Sequence, residues 1–593
     1  MDPAGSDRKK PEVMIVRKTF CSANAFLLFF WINSVCQASP HQSGSGILLE
    51  SPSEVLHGDV VMRVSTPHNC VGGVTVPVEV TIVNKGDTKR TFDLSLTDLT
   101  DQKLIGIQTV ILSAAGQSGL DDIHDLTLAG ERKENQGFGD WLAVGDVNGD
   151  GCGDLLVSAG GYNNGQGRAY LYCGGETINE EADKIFTGEN TGDGLGDGGG
   201  CLGDMNKDGF DDVIIGARYY KNRGRVYIYW GGPDMDENAD VIIESEKEVM
   251  NSSFGRGMAV GDVNGDGYTD LFISAPGSSR PESGDLKGRV YLFYGGDLFD
   301  TTIDKVFIGE NANDGFGAVR SAGGDIDGDG YDDLLIGTRY YPDYPRNQRG
   351  RAYLYHGAPG TAMDTVCDLV FDGENDNDEF ATGVDLFDID NDGHADVLIS
   401  ARKWPSGKMQ GRLYLYWGSD RASFDNKADL TFTGEADAQA TFGGDHVVAG
   451  YLNDDKYGDI VVPAYDYYRL SQHGRTYLFY GNMQSRMDNV LDQAFTGEEP
   501  QNLIMNARIA DFNGDGCGDI AVGGWGYPNG ARQGRVWLYY GRSPSSTNVT
   551  FGWDTAHVSQ GDHTLQILIS GFKGENDTAS VNTTVSVEVR DPS

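Results

Sequence analysis

DVNGDGCGD, residues 146–154, is written again and again along the chain. It returns as DMNKDGFDD at 204–212, DVNGDGYTD at 262–270, DIDGDGYDD at 325–333, DIDNDGHAD at 388–396 and DFNGDGCGD at 511–519. One further copy, YLNDDKYGD at 451–459, has Tyr451 in place of the first acid and Lys456 in place of the glycine. A period of about sixty residues is the mark of one supersecondary unit that cannot bury its core alone and must stack on its neighbours.

The residues around each copy define that unit. Upstream lies a short strand that often opens with Phe-Gly, as at Phe138-Gly139, Phe254-Gly255, Phe316-Gly317 and Phe442-Gly443. Downstream comes an apolar run such as LLVSA at 155–159. A strand of alternating aromatics opening on Arg follows, from RAYLY at 168–172 to RVWLY at 535–539. Last is an outer run such as ADKIFTGE at 182–189. Alternation of period two between glycine turns means β-strand, and four antiparallel strands per unit make a propeller blade. No outer run follows the seventh aromatic strand, whereas HDLTLAGE at 124–131 precedes the first blade. It is expected to complete blade seven, closing the ring and removing its open edge.

The flanks, 44–118 and 543–593, hold further alternating runs, among them VPVEVTIV at 76–83, FDLSLTDL at 92–99 and LIGIQTVIL at 104–112. Neither flank has enough strands for a core, but together they supply about seven or eight, enough for an immunoglobulin-like sandwich. The expected fold class is therefore all-β: a seven-bladed β-propeller over 120–542, inserted in a loop of a split β-sandwich. A closed ring brings its own ends together, which makes such an insertion tolerable.

The repeated loop has the chemistry of a hard-cation site. With Asp146 as position one, Asn148, Asp150 and Asp154 fall at three, five and nine, and Cys152 at seven offers a carbonyl. This is the oxygen-ligand logic of the EF-hand loop, with Gly151 at the sharp turn. Position twelve, where an EF-hand has its bidentate Glu, is Val157 here and Val or Ile in the other intact copies. The chain must therefore enter a strand, and the position-nine Asp takes the anchoring role. The other expected ligand sets are Asp204, Asn206, Asp208, Phe210 and Asp212; Asp262, Asn264, Asp266, Tyr268 and Asp270; and Asp325, Asp327, Asp329, Tyr331 and Asp333. Blade five offers Asp388, Asp390, Asp392, His394 and Asp396, and blade seven Asp511, Asn513, Asp515, Cys517 and Asp519. Crowded carboxylates suit Ca²⁺ better than Mg²⁺. Six structural Ca²⁺ are expected, with Lys456 replacing the ion in the sixth loop.

These residues resemble the FG-GAP (VCBS-type) repeat, and the seven copies are similar to the calcium-bearing propeller head of integrin α-subunits over about 120–542. Phe-Gly is altered to Leu195-Gly196 in blade two and Phe380-Ala381 in blade five, and is lost in blade seven. The joined flanks resemble a CARDB-like, immunoglobulin-type adhesion module. The resemblance implies that the loops opposite the metals bind ligands, usually proteins or glycans, and that catalysis is the exception.

On that opposite end the sequence places cations beside aromatics: Arg218, Tyr219 and Tyr220; Arg339, Tyr340 and Tyr341; Arg402 and Trp404; Tyr467; and Trp525. Tyr, Trp and Arg are the residues of interface hot spots, and aromatic faces stack on sugar rings. The competing reading is that these aromatics pack between loops while the arginines pair with neighbouring acids. A net charge of −43 excludes nucleic acid and anionic membrane as partners.

Arg8, Lys9, Lys10, Arg17 and Lys18, the apolar run at 25–32 and the Cys36-Gln37-Ala38 stretch follow the order of a secretory signal over 1–38. A secreted or surface protein is the expectation, with adhesion or recognition of an extracellular glycan or protein as its function. A calcium-dependent polysaccharide lyase, using His473 with Arg475 or Tyr and Arg of blades four and five, and an architectural envelope component are the other readings. Cys152 and Cys517 hold the same loop position in the first and last copies. A closed ring makes them neighbours, as a disulfide or as two thiols.

Overall fold

The computed structural model describes residues 120–541, save 121–123, 132–135, 176–177, 246–251, 278–286, 437–440, 445, 454–455, 465–473, 483–485, 498–503 and 528–531. In the flanks it describes the backbone of strands only. The chain divides into two units, Leu120–Gly541 and a second made of Met1–Gly119 with Arg542–Ser593.

Leu120–Gly541 is a seven-bladed β-propeller of four-stranded antiparallel sheets. Blade one runs Phe138–Gly145, Asp154–Ala159, Arg168–Tyr172 and Lys184–Thr187 from the inside outward. Six blades take all four strands from consecutive chain. The seventh takes Ile504–Ala510, Asp519–Gly524 and Arg535–Tyr539, and its outer strand is Leu126–Ala129. There Leu126 faces Leu538 and Ala129 faces Arg535, so the ring closes as the extra outer run predicted.

Burial follows strand position. Every residue of the second strand is buried in all seven blades. The outer strand instead buries one side chain, Phe186, Ile243, Phe307, Phe371, Phe432, Phe495 or Leu128. Among the described residues of this unit the core falls into seven clusters, one between each pair of neighbouring blades. At most of these seams an outer-strand Phe meets the last ring of the next blade's third strand. Phe186 meets Tyr229 with centroids 4.4 Å apart, Phe307 meets Tyr355 at 4.8 Å, and Phe432 meets Phe479 at 4.7 Å. Tilted and edge-on rings at this spacing add to the area they bury.

The Phe-Gly dipeptide sets the seam on the inside. Phe138, Phe254, Phe316 and Phe442 are fully buried. Phe254 bridges in parallel to Gly224, Phe442 to Gly411, and Phe138 across the closure to Gly534. The glycine before each Arg-aromatic strand is required by contact: a Cβ on Gly350 (φ +88°) would lie 2.0 Å from the Phe380 carbonyl oxygen.

In the second unit the backbone forms two antiparallel sheets. Ser53–His57, Val60–Ser65, Thr75–Asn84 and Ser546–Asp554 make one, in that order; Leu565–Ser570, Arg90–Asp98 and Lys103–Leu112 make the other. Each sheet draws strands from both sides of the propeller in sequence. Phe26–Trp31, inside the stretch read as an export signal, is drawn as a strand parallel to Val581–Ser586.

Candidate metal loops and the opposite face

In each blade the acidic loop joins the first strand to the second, so the loops gather on one end of the ring. Within a loop the carboxylates turn inward on their own backbone. Asp146 Oδ1 accepts the N–H groups of Gly149 and Asp150 at 2.7 and 3.1 Å, and its Oδ2 accepts Gly151 N–H at 2.9 Å. Asn148 Oδ1 accepts Asp150 N–H, and Asp150 Oδ1 accepts Cys152 N–H. Blades two, three and seven repeat this pattern.

The position-nine Asp does something different. Asp154 Oδ2 accepts Val147 N–H at 2.8 Å, and its Oδ1 accepts Gly174 N–H at 2.7 Å, tying the loop to the turn between the third and fourth strands. Asp212, Asp270, Asp333, Asp396, Asp459 and Asp519 make the same two bonds. All seven are buried. Burial raises the pKa of six of them, to about 6 at Asp154, about 7 at Asp212 and Asp270, and about 8 at Asp396 and Asp519, and upward also at Asp333, while the two N–H donors pull the other way.

Neighbouring loops are stitched together. The position-eight N–H of one blade donates to the position-one carbonyl of the blade before: Asp211 to Asp146, Thr269 to Asp204, Asp332 to Asp262, Ala395 to Asp325, and Gly153 to Asp511 across the closure. Cys152 and Cys517 both remain thiols. In the sixth loop Tyr451 packs on Phe387 with ring centroids 5.0 Å apart, and Lys456 takes φ +71° at the turn.

Blades four and five draw acids closest. Asp325, Asp327 and Asp329 form one group and Asp388, Asp390 and Asp396 another, each with oxygens within 4.8 Å of one another. Cations from the next blade reach into both: Arg421 Nε lies 2.8 Å from Asp327 Oδ2, and Arg486 Nη1 lies 2.7 Å from Asp390 Oδ2. Neither arginine nor His356, which approaches Asp327 and Asp333, was singled out from the sequence. Each stands far along the chain from the loop it reaches, and only the blade register brings it there.

At the other end, the aromatic residues divide into two sets. Arg225 lies 3.6 Å above the ring of Tyr220, Arg351 3.9 Å above Tyr341, and Arg412 3.5 Å above Trp404. Tyr162 and Tyr527 are covered in the same way by Arg168 and Arg535. Each covering arginine opens a third strand, and most also pair with a Glu at the end of the preceding blade's outer strand: Arg168 with Glu131, Arg225 with Glu189, Arg351 with Glu310, Arg412 with Glu374. One ring face of Tyr220, Tyr341 and Trp404 is thus taken up by packing, and Trp404 Nε1 also donates to Glu374.

The second set is more exposed, although Arg218 stands 4.6 Å over the ring of Tyr219 and Arg339 4.8 Å over that of Tyr340. Tyr219 and Tyr344 are each 46% exposed, and Tyr344 lies against Tyr340 with centroids 4.9 Å apart. Trp525 carries Arg532 at 4.5 Å. Arg402 and Lys403 both pair with the buried Glu379, and Arg475 with Glu435. Tyr467 and His473 lie outside the described residues. Arg218 and Arg339 line one central cavity of about 570 Å³ with Arg256 and Arg508, alongside Asp140, Asp197 and Asp385. Arg218 Nε pairs there with Asp197 at 2.9 Å.

Fold and loops together define a class: a seven-bladed β-propeller with an acidic loop repeated from blade to blade. The FG-GAP repeat model matches residues 138–172, 254–293, 317–355 and 507–539, and an FG-GAP-like repeat model matches 204–273. Among individual proteins, the chain is similar to integrin alpha-5 of Xenopus laevis, 28% identical over 209 residues, which is 34% of this chain and 19% of that protein. Integrin alpha-PS2 of Drosophila melanogaster is 34% identical over 168 residues, 26% of this chain and 11% of that protein. Phosphatidylinositol-glycan-specific phospholipase D of Bos taurus is 32% identical over 233 residues, 36% and 27% of the two chains. The matched part therefore spans no more than about a quarter of these relatives. No helix among the described residues is long and apolar enough to cross a membrane.

Proposed function

We propose that this chain is an extracellular recognition module whose propeller is braced by Ca²⁺ at one end and binds a glycan or protein at the other. The observation that carries the reading is the polarity of the ring. Six intact acid loops crowd one end, and half-exposed tyrosines occupy the other, around a central cavity lined by Arg218, Arg256, Arg339 and Arg508 together with Asp140, Asp197 and Asp385. The donor set suits a hard cation: oxygens dominate, and in blades four and five carboxylates sit within 4.8 Å of one another. A bound ion supplies charge neutralisation, while the position-nine Asp of each loop keeps the loop seated whether or not the ion is there.

The propeller belongs, in this reading, in a loop of a split immunoglobulin-like module over 44–118 and 543–593. Pairing of Thr75–Asn84 with Ser546–Asp554 supports it. Similarity to integrin α-subunits favours adhesion over catalysis.

Tyr219, Tyr340 and Tyr344 are the residues we assign to ligand contact, with Arg218 and Arg339 behind them. A glycan array probed with the protein in Ca²⁺ and then in chelator tests this directly. Selective binding that the triple alanine variant loses supports the face; binding that survives all three substitutions overturns it. A blank array turns the search to protein ligands of the same face.

A further inference from the structure

We infer that the loop of blade four holds a borderline transition-metal ion, through His356, Asp327 and Asp333, where the other loops are read as holding Ca²⁺. The inference rests on the acid loops being metal sites.

The placement of His356 follows from register. In every blade the position-nine Asp accepts the N–H of the glycine that ends the third strand, so the residue before that glycine stands over the loop. That residue is Cys173, Trp230, Tyr294, His356, Trp417, Tyr480 or Tyr540, and blade four alone has an imidazole there. His356 Nδ1 lies 3.1 Å from Asp333 Oδ1 and 3.3 Å from Asp327 Oδ2. The three side chains are 6%, 0% and 2% exposed, and their ligand atoms lie within 4.8 Å of one another.

A second observation points to a ligand. Asp327 Oδ1 is buried without a hydrogen-bond partner, which leaves a carboxylate oxygen desolvated and uncompensated. Its Oδ2 is contacted by Arg421 from the rim, on a side chain 54% exposed that can withdraw into water. Ligand atoms about 2.1 Å from a common ion stand about 3.0–3.4 Å apart at angles between square and tetrahedral, and both His356 contacts fall in that range. Ca²⁺ takes oxygen ligands, whereas an imidazole beside carboxylates suits a borderline ion such as Zn²⁺ or Co²⁺.

The test uses the full chain, stripped with chelator, then given Co²⁺ in the presence of a large excess of Ca²⁺. The expected result is one Co²⁺ retained per chain, with a visible d–d spectrum. His356→Tyr, which installs the residue blade three carries at this position, is expected to lower Co²⁺ retention at least about tenfold. It should leave the thermal shift produced by Ca²⁺ in place. His356→Cys, the residue of blade one, should restore Co²⁺ with a sulfur charge-transfer band. No Co²⁺ retained by the unmodified chain overturns the inference and leaves His356 as a charged donor standing in for an ion. Retention unchanged in His356→Tyr overturns it as well. Absence of any Ca²⁺ thermal shift would instead remove the broader reading of the loops, and the two failures are told apart by that measurement.

Discussion

Asp459 accepts the N–H of Leu452 at 2.8 Å and of Gly481 at 3.0 Å, in the loop whose first acid has become Tyr451. The brace therefore outlives the acid set around it. Two charge-assisted bonds contribute about 1.5–3 kcal/mol each when both partners stay buried. Asp459→Ala should lower stability by roughly 3 kcal/mol or more, by the same amount in Ca²⁺ and in chelator. Asp266→Asn at position five of blade three should do the reverse, leaving the chelated protein unchanged and shrinking only the Ca²⁺-induced rise. Thermal melts of both variants with and without Ca²⁺ decide it, and a Ca²⁺-dependent loss at Asp459 would count against the brace.

The braces also set a pH dependence. Burial lifts the carboxyls from an ordinary 3.8 to about 6 at Asp154, about 7 at Asp212 and Asp270, and about 8 at Asp396 and Asp519. A group whose pKa is higher folded than unfolded binds more protons in the native state, so stability falls as pH rises through that window. In chelator, Tm should climb as pH drops from about 8 toward 5. The gain from Ca²⁺ should shrink over the same interval, because the ion needs ionised carboxylates. Melts across that range, in chelator and in Ca²⁺, should give slopes of opposite sign for Tm and for the Ca²⁺ increment.

Blades and closure were legible from the repeat because they depend on period and count: seven aromatic strands, six following outer runs and one stray run at 124–131 leave one arrangement. The acid loops were legible as a constellation because every candidate ligand of the intact copies lies within nine residues. The double duty of the position-nine Asp was not, since its second partner, Gly174 for Asp154, stands twenty residues on and is a backbone N–H with no sequence signature. Tyr220, Tyr341 and Trp404 read as ligand residues for a similar reason. Aromatic and arginine in a surface loop look the same whether they meet a partner or, as at Arg412 and Trp404, each other.

The seam between blades allows a sharp test of backbone contact. Gly350 has φ +88°, and an added Cβ would meet Phe380 oxygen at 2.0 Å and Phe380 nitrogen at 2.5 Å. The left-handed conformation alone costs an L-residue about 1–2 kcal/mol, and the clash with backbone forces blades four and five apart. Gly350→Ala should therefore lose more than about 2 kcal/mol, read by denaturant titration. Gly360→Ala, at φ +63° with open space around its Cβ, isolates the conformational part and should lose distinctly less.

Trp404 tests the division of the opposite face. Arg412 covers its ring at 3.5 Å, both groups bond Glu374, and Arg412 Nη1 reaches that carboxylate at 3.0 Å. Such a stack contributes about 0.5–2 kcal/mol according to how dry it is, and the indole bond to a carboxylate adds to it. Trp404→Ala should destabilise the fold by about 2–3 kcal/mol, while Tyr219→Ala, on an exposed ring, should stay within about 0.5 kcal/mol. A double-mutant cycle between Trp404→Ala and Arg412→Met should show a coupling near 1 kcal/mol. Additivity in that cycle would return Trp404 to the ligand-contacting set. Measurable coupling keeps it as packing and leaves Tyr219, Tyr340 and Tyr344 as the surface a partner meets.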